Sequence, residues 1–283
     1  MQPTQKEPRL AGPLGGPHVL FDGSFIIEFL QPEPQLDASF LFRATYKGDH
    51  ELMKLGKSHP QAPPLHIHFA QSESFLVTAG AVGTTTTYNL IDTVHTPSAS
   101  YNQVTPPSGL SPPIPSRNAS GEVAIPPWTP HNFWPVAPTH PFWSTPEGKE
   151  YESSLPHGRN SDTTVLIWGY PKNSTGSPTG TLTTDFPPDM DAAFFLALLG
   201  LVDALSSSRV AMTPKVFATL FSMQTASELG VIVAPTAWWL GPLRWRVPWA
   251  AQVILEKVRL LLGGNHPAKV VEDVIQDIVV KRQ

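Results

Sequence analysis

The sequence predicts a mainly β fold, a sandwich or barrel, followed by an α-helical C-terminal extension. Three observations carry this. Short runs rich in β-branched and aromatic residues, bounded by Gly, Pro, Asn or Asp, fill residues 18–170. The 32 prolines suit turns and short strands better than a helical bundle. After "FPPDMD" (186–191) the apolar period changes from strand-like to helical.

Residues 1–18 read as a flexible N-terminal arm, 19–186 as the β domain and 187–283 as the helical extension. The expected strands are "SFIIEFL" (24–30), "ASFLFRATY" (38–46), "LHIHFA" (65–70), "SFLVTAG" (74–80), "VGTTTTYNL" (82–90), "GEVAI" (121–125), "HNFWPV" (131–136) and "TTVLIWGY" (163–170). Two long connections, 93–120 and 137–161, read as lids or surface segments. His95, His140 and His157 fall in these connections and are expected at the surface. Helices are expected over 190–208, 214–230, 248–264 and 267–282. Asp191 and Thr213 suit N-caps, Pro214, Pro248 and Pro267 suit first-turn positions, and Gly230 and Gly263 suit helix ends. The extension is expected to pack on the β domain or on a second copy, as in a homodimer.

Composition narrows the classes of function. The formal net charge is -4 without a long basic run, which argues against nucleic acid as a partner. Cysteine is absent, so disulfides, thiolate metal sites and cysteine nucleophiles are excluded. No apolar run matches a membrane span, although the Trp238–Trp249 stretch with Arg244 and Arg246 suits contact with a membrane surface. "MQPTQKEPRLAGPLGGPH" has no apolar signal-peptide core, so a cytoplasmic location is expected and the sequons at Asn118 and Asn173 read as incidental. No P-loop, dinucleotide fingerprint or G-x-S-x-G elbow occurs, and no organic cofactor is expected.

The chemistry concentrates in "PPLHIHFAQSESFLVTAG" (63–80). In an extended strand His66 and His68 share one face. A turn through "AQSES" returns Glu73 beside them, and His131 in "GEVAIPPWTPHNFW" is the best third imidazole. Three imidazoles and a carboxylate suit a divalent Zn, Fe, Ni or Cu ion. Phe75, Trp128, Phe133, Trp134 and Trp143 are the candidate lining of a pocket for an apolar small molecule.

His66, His68, Glu73 and Gly80, followed by Gly121, Pro126 and His131, resemble the paired motifs of the cupin superfamily, with Trp128 standing where the family has a glycine. The resemblance implies a cupin-type jelly-roll β-barrel. It also implies that His66, His68, Glu73 and His131 bind one metal and serve as catalytic groups. The overall layout resembles stand-alone cupins of fungal specialised-metabolite clusters, including hetero-Diels–Alderases of tropolone–sesquiterpenoid biosynthesis. That implies a cyclase performing a cycloaddition of apolar partners. A metal-dependent dioxygenase and a non-catalytic binding cupin are the alternatives.

Overall fold

The computed structural model describes residues 9–69, 71–102, 114–170, 190–226, 240 and 242–279. Among these residues, ten strands form two antiparallel sheets. In chain order they are β1 (His18–Leu20), β2 (Phe25–Phe29), β3 (Phe40–Tyr46), β4 (Glu73–Ala79), β5 (Val82–Thr86), β6 (Ile91–His95), β7 (Ser100–Asn102), β8 (Val123–Ile125), β9 (His131–Pro135) and β10 (Thr163–Gly169). One sheet runs β1-β2-β3-β10-β4-β8 and the other β7-β6-β5-β9. The arrangement among the described residues is therefore a two-sheet sandwich, one of the two architectures the strand pattern allowed, and the described pairings do not close it into the barrel that the resemblance implied.

The core follows strand alternation. Phe42, Ala44 and Tyr46 of β3, Phe75 and Val77 of β4, Phe133 of β9 and Val165 and Ile167 of β10 are buried in one cluster spanning both sheets. Gly80 closes the turn from β4 into β5. Its φ is +66°, and a Cβ there would meet Thr163 Oγ1 at 2.4 Å, so only glycine fits without movement.

The structure departs from several expectations. Residues 9–18 do not hang free: Arg9 bridges Leu30, and the Leu10 N–H donates to the Phe29 carbonyl at 2.9 Å. Residues 1–8 lie outside the described set. The 93–120 connection begins within β6 and includes β7, while 103–113 lie outside the described residues. His95 sits in β6 and is buried, with Thr84 Oγ1 at 2.9 Å from its Nε2 and Ser100 Oγ at 2.8 Å from its Nδ1. The hydroxyls satisfy the ring, which the sequence pattern alone did not show. The 137–161 connection contains α1 (Pro146–Ser154) and packs over the outer face of the four-stranded sheet through Phe142 and Trp143.

The extension contains α2 (Ala192–Ser206), α3 (Pro214–Ala226), α4 (Leu243–Leu261) and α5 (Pro267–Val274), the last running into a π turn over Ile275–Val279. Asp191 caps α2 by accepting the Phe194 N–H at 2.8 Å, and Thr213 caps α3 by accepting the Val216 N–H at 3.2 Å. Pro248 lies inside α4 and not at its start. The preceding turn is held because Trp245 is buried with Ile67 and Phe69. Gly230, Trp238 and Asn173 lie outside the described residues. Met190, Phe194, Leu196, Ala197 and Leu201 join the sandwich core, so α2 is its direct cover. Among the described residues, no helix is long and apolar enough to cross a membrane.

Candidate metal centre

The segment carrying His66 and His68 is extended but is not a full strand. Its opposing chain, Pro126-Pro127-Trp128-Thr129-Pro130-His131, has three prolines without an N–H. Pairing is therefore restricted to the positions that can donate. His66 and His131 exchange backbone hydrogen bonds at 3.0 and 2.8 Å, and the Trp128 N–H donates to the His68 carbonyl at 2.8 Å. These three bonds place two histidines opposite the third. Trp128 takes a φ of +66°, a conformation that favours glycine and costs a tryptophan about 1–2 kcal/mol. The turn before His131 is thus made with a tryptophan in the left-handed region.

β4 starts at Glu73, which lies opposite Ile125 of β8 and Gly169 of β10. The donor atoms of His66, His68, Glu73 and His131 all fall within 4.8 Å of one another. His131 Nε2 is 3.0 Å from Glu73 Oε2. His68 Nε2 is 3.4 Å from the same oxygen, within ion-pair range but without hydrogen-bond geometry. The His68 and His131 rings stack with centroids 4.9 Å apart.

Backbone carbonyls orient two of the rings. His66 Nδ1–H donates to Pro64 O at 3.0 Å, which leaves its Nε2 as a lone-pair donor. His131 Nδ1 faces Thr129 O at 2.9 Å while its Nε2 faces the Glu73 carboxylate. Both neighbours are acceptors, and a neutral imidazole has a single N–H to give. An added proton or a cation between Nε2 and the carboxylate resolves that conflict.

The electrostatics favour ligand-ready forms. Burial pushes the Glu73 carboxyl up, but His131 and His68 together outweigh it and hold the group well below the usual carboxylate range. Burial pushes His66 well down, helped by His131 and His68, although the ring still touches solvent through the cavity described below. Burial also lowers His68, with Glu73 pulling the other way.

The donor set fits a divalent transition metal. Ligands about 2.0–2.2 Å from an ion lie roughly 3–4 Å from one another. Both ring nitrogens of His68 are buried without a hydrogen-bond partner, an arrangement that costs free energy unless something binds there. Imidazoles with a carboxylate suit Zn, Fe, Ni or Cu.

A cavity of about 280 Å³ opens onto this cluster. His66, His68 and Glu73 line it, whereas His131 stands behind Glu73 and is not on the wall. Phe42, Ala44, Phe133 and Ile167 supply sheet-side apolar wall, and Phe195, Leu198, Leu199 and Val202 of α2 supply the roof. Tyr46, Gln61 and Gln224 are further polar groups on the wall. The Tyr46 hydroxyl donates to Gln61 Oε1, and burial keeps that phenol protonated far above its ordinary range.

Of the five aromatics expected around a ligand, only Phe133 lines this cavity. Phe75 lies deeper, between Phe133 at 5.0 Å and His95 at 4.9 Å. Trp134 points to the opposite face of β9, because alternation separates it from His131 and Phe133. Trp143 packs with it in that second cluster. Trp128 is 37 % exposed, edge-on to Phe69. The sequence placed the helical extension against the β domain but did not single out the α2 side chains that roof the cavity, nor the Tyr46–Gln61 pair. The signal for α2 was present in "AAFFLALLGLV", a helix apolar on every side and so covered on more than one.

No family model matches the chain, and no curated protein matches it. Solved structures do. CapF, a capsular polysaccharide assembling protein from Staphylococcus aureus, is 13 % identical over 56 % of this chain and 31 % of its own, with a TM-score of 0.30. Hydroxypropylphosphonic acid epoxidase from S. wedmorenis is 8 % identical over 52 % of this chain and 51 % of its own, with a TM-score of 0.25. Rru_A2000 from Rhodospirillum rubrum, a cupin-2 domain, is 12 % identical over 53 % of this chain and 63 % of its own, with a TM-score of 0.24. This chain therefore corresponds to under a third of the CapF chain. Likenesses this distant add nothing to what the side-chain geometry carries.

Proposed function

We propose that this chain is a cupin-type enzyme that holds a divalent metal on His66, His68, Glu73 and His131 and transforms an apolar small molecule by ring formation. One observation carries this: an apolar cavity ends on the histidine–glutamate cluster. A bound cation there would supply Lewis-acid polarisation of a substrate oxygen.

The chain's own groups divide the remaining work. The α2 roof and Phe133 exclude water and hold a flexible substrate in a reactive pose, which lowers the entropic cost of cyclisation. Glu73 stays ionised, so it acts as ligand or base and not as a proton donor. The Tyr46–Gln61 pair is placed to hydrogen-bond a polar end of the substrate. Within this reading the finer assignment is a cycloaddition of the hetero-Diels–Alder type. The complete three-histidine, one-glutamate donor set favours a second reading, a metal-dependent dioxygenase.

The test has two parts. Purified protein is loaded separately with Zn, Fe, Ni or Cu, and bound metal is measured. Product formation from polyene and quinone-methide-type precursors is then followed with and without dioxygen. Ring closure to an isomeric or condensed product under strict anaerobiosis is the expected result. Activity that vanishes without dioxygen and returns with it selects the dioxygenase. Tight binding without turnover selects a plain binding protein.

A further inference from the structure

α4 is built inside out. Its inward face carries Gln252 and Glu256, both buried. They meet polar partners on α3: Gln252 Nε2 donates to Thr225 Oγ1 at 2.9 Å, and Ser222 Oγ donates to Glu256 Oε1 at 2.8 Å. Arg259 closes the group on Glu256 at 2.8 Å. The polar side of this helix is thus already satisfied by protein. Its apolar side faces outward: Leu243 is 59 %, Val247 63 %, Ile254 61 %, Leu255 58 %, Leu261 86 % and Leu262 83 % exposed. At about 100° per residue these side chains, with Val258, fall within an arc of roughly 120° along the whole helix. Among the described residues nothing covers them.

The borders of the stripe are basic. Arg246 and Lys257 are exposed along one edge, and Arg244 lies near the other with its Nε buried and unpartnered. The only carboxylate of α4 is Glu256, turned inward. A row of exposed aliphatic side chains edged by cations and free of exposed anions complements the surface of an anionic bilayer. A second copy suits it less well. Two copies would set the basic borders against one another, with no exposed carboxylate on either α4 to pair them.

We propose that α4 docks the protein on anionic phospholipid membranes, lying in the headgroup plane with Val247, Ile254, Val258 and Leu261 inserted. This surface is separate from the metal cluster and does not depend on the reaction assigned to it.

Co-sedimentation of the full chain with phosphatidylcholine vesicles, with and without phosphatidylserine, tests this. The wild-type chain is expected to pellet with the phosphatidylserine vesicles and to be released by high salt. The double variant Arg246→Gln, Lys257→Gln should weaken partitioning by roughly 20–30-fold, from about fivefold per cation near the surface. Ile254→Glu with Val258→Glu should abolish it while the circular dichroism spectrum and melting temperature stay at wild-type values. Three results overturn the proposal. One is no pelleting of the wild-type chain. Another is pelleting indifferent to both double variants. The third is a dimer in sedimentation velocity that Ile254→Glu dissolves, which would give the stripe to a second copy.

Discussion

At the scale of single residues, the cluster is defined by what its members cannot satisfy alone. His68 has two buried, unpartnered nitrogens, and His131 faces two acceptors. His68→Ala and Glu73→Gln should each lower metal retention by well over the 10–100-fold typical of losing an orienting group beyond the ligands. Metal content after dialysis reads this directly, and wild-type retention in either variant would remove that residue from the ligand set. His95 gives a separate, pH-dependent expectation. Burial pushes it down to about 3, so the fold refuses a proton that the unfolded chain accepts below about 6.5. The unfolded state then binds more protons in that window, and stability falls as the pH drops from 6.5 towards 3. A melting temperature followed from pH 7 to 4 should decline, and His95→Gln should make the decline shallower, the rest coming from His59, His66 and His68, which burial also pushes down.

At the scale of elements, alternation in β9 decides which aromatics see the cavity. Trp134 lies opposite Gly83 of β5, and a Cβ on Gly83 would meet the indole at 2.1 Å. Its N–H donates to Thr85 Oγ1 at 3.1 Å. Trp134 is therefore a packing residue. Trp134→Ala should cost about 3–5 kcal/mol of stability. Gly83→Ala should cost about 1–3 kcal/mol by overpacking the same spot. Denaturant unfolding measures both, and a Trp134→Ala protein of wild-type stability with a raised KM would return the side chain to the substrate.

At the scale of the whole molecule, the helical extension is part of the site and not an appendage. Phe195, Leu198, Leu199 and Val202 close the cavity that the sheets begin. A buried carboxylate ties this roof down. Asp203 Oδ1 accepts the Phe21 N–H at 2.8 Å, and its Oδ2 pairs with Arg209 at 2.7 Å. Asp203→Ala strands the buried Phe21 N–H and should cost about 1–3 kcal/mol. Ligand affinity should fall with it, because α2 and the turn before β2 would part. Thermal melts with and without metal report the first effect, and a variant as stable as the wild type would show that α2 is held by apolar packing alone.

The sequence by itself determined the sheet-then-helix order, most strands and helix caps, and the identity of the four converging groups. Those features rest on local rules: alternation in strands, capping chemistry, and donors at fixed spacing on neighbouring chain segments. His66 and His68 needed only an extended backbone to share a face, and Glu73 only a turn. Other features were decided by contacts between residues far apart in sequence. The burial of His95 depends on Thr84 and Ser100 reaching it across strands. The direction of Trp134 depends on the register that brings Gly83 beneath it. The cavity exists because α2 folds back over β3 and brings Phe195, Leu198, Leu199 and Val202, more than a hundred residues from His66 and His68 in sequence, onto its wall. Helical period identifies an apolar face but not the surface it covers, which is set by packing and by where the buried polar groups, such as Asp203 and Glu256, find their partners.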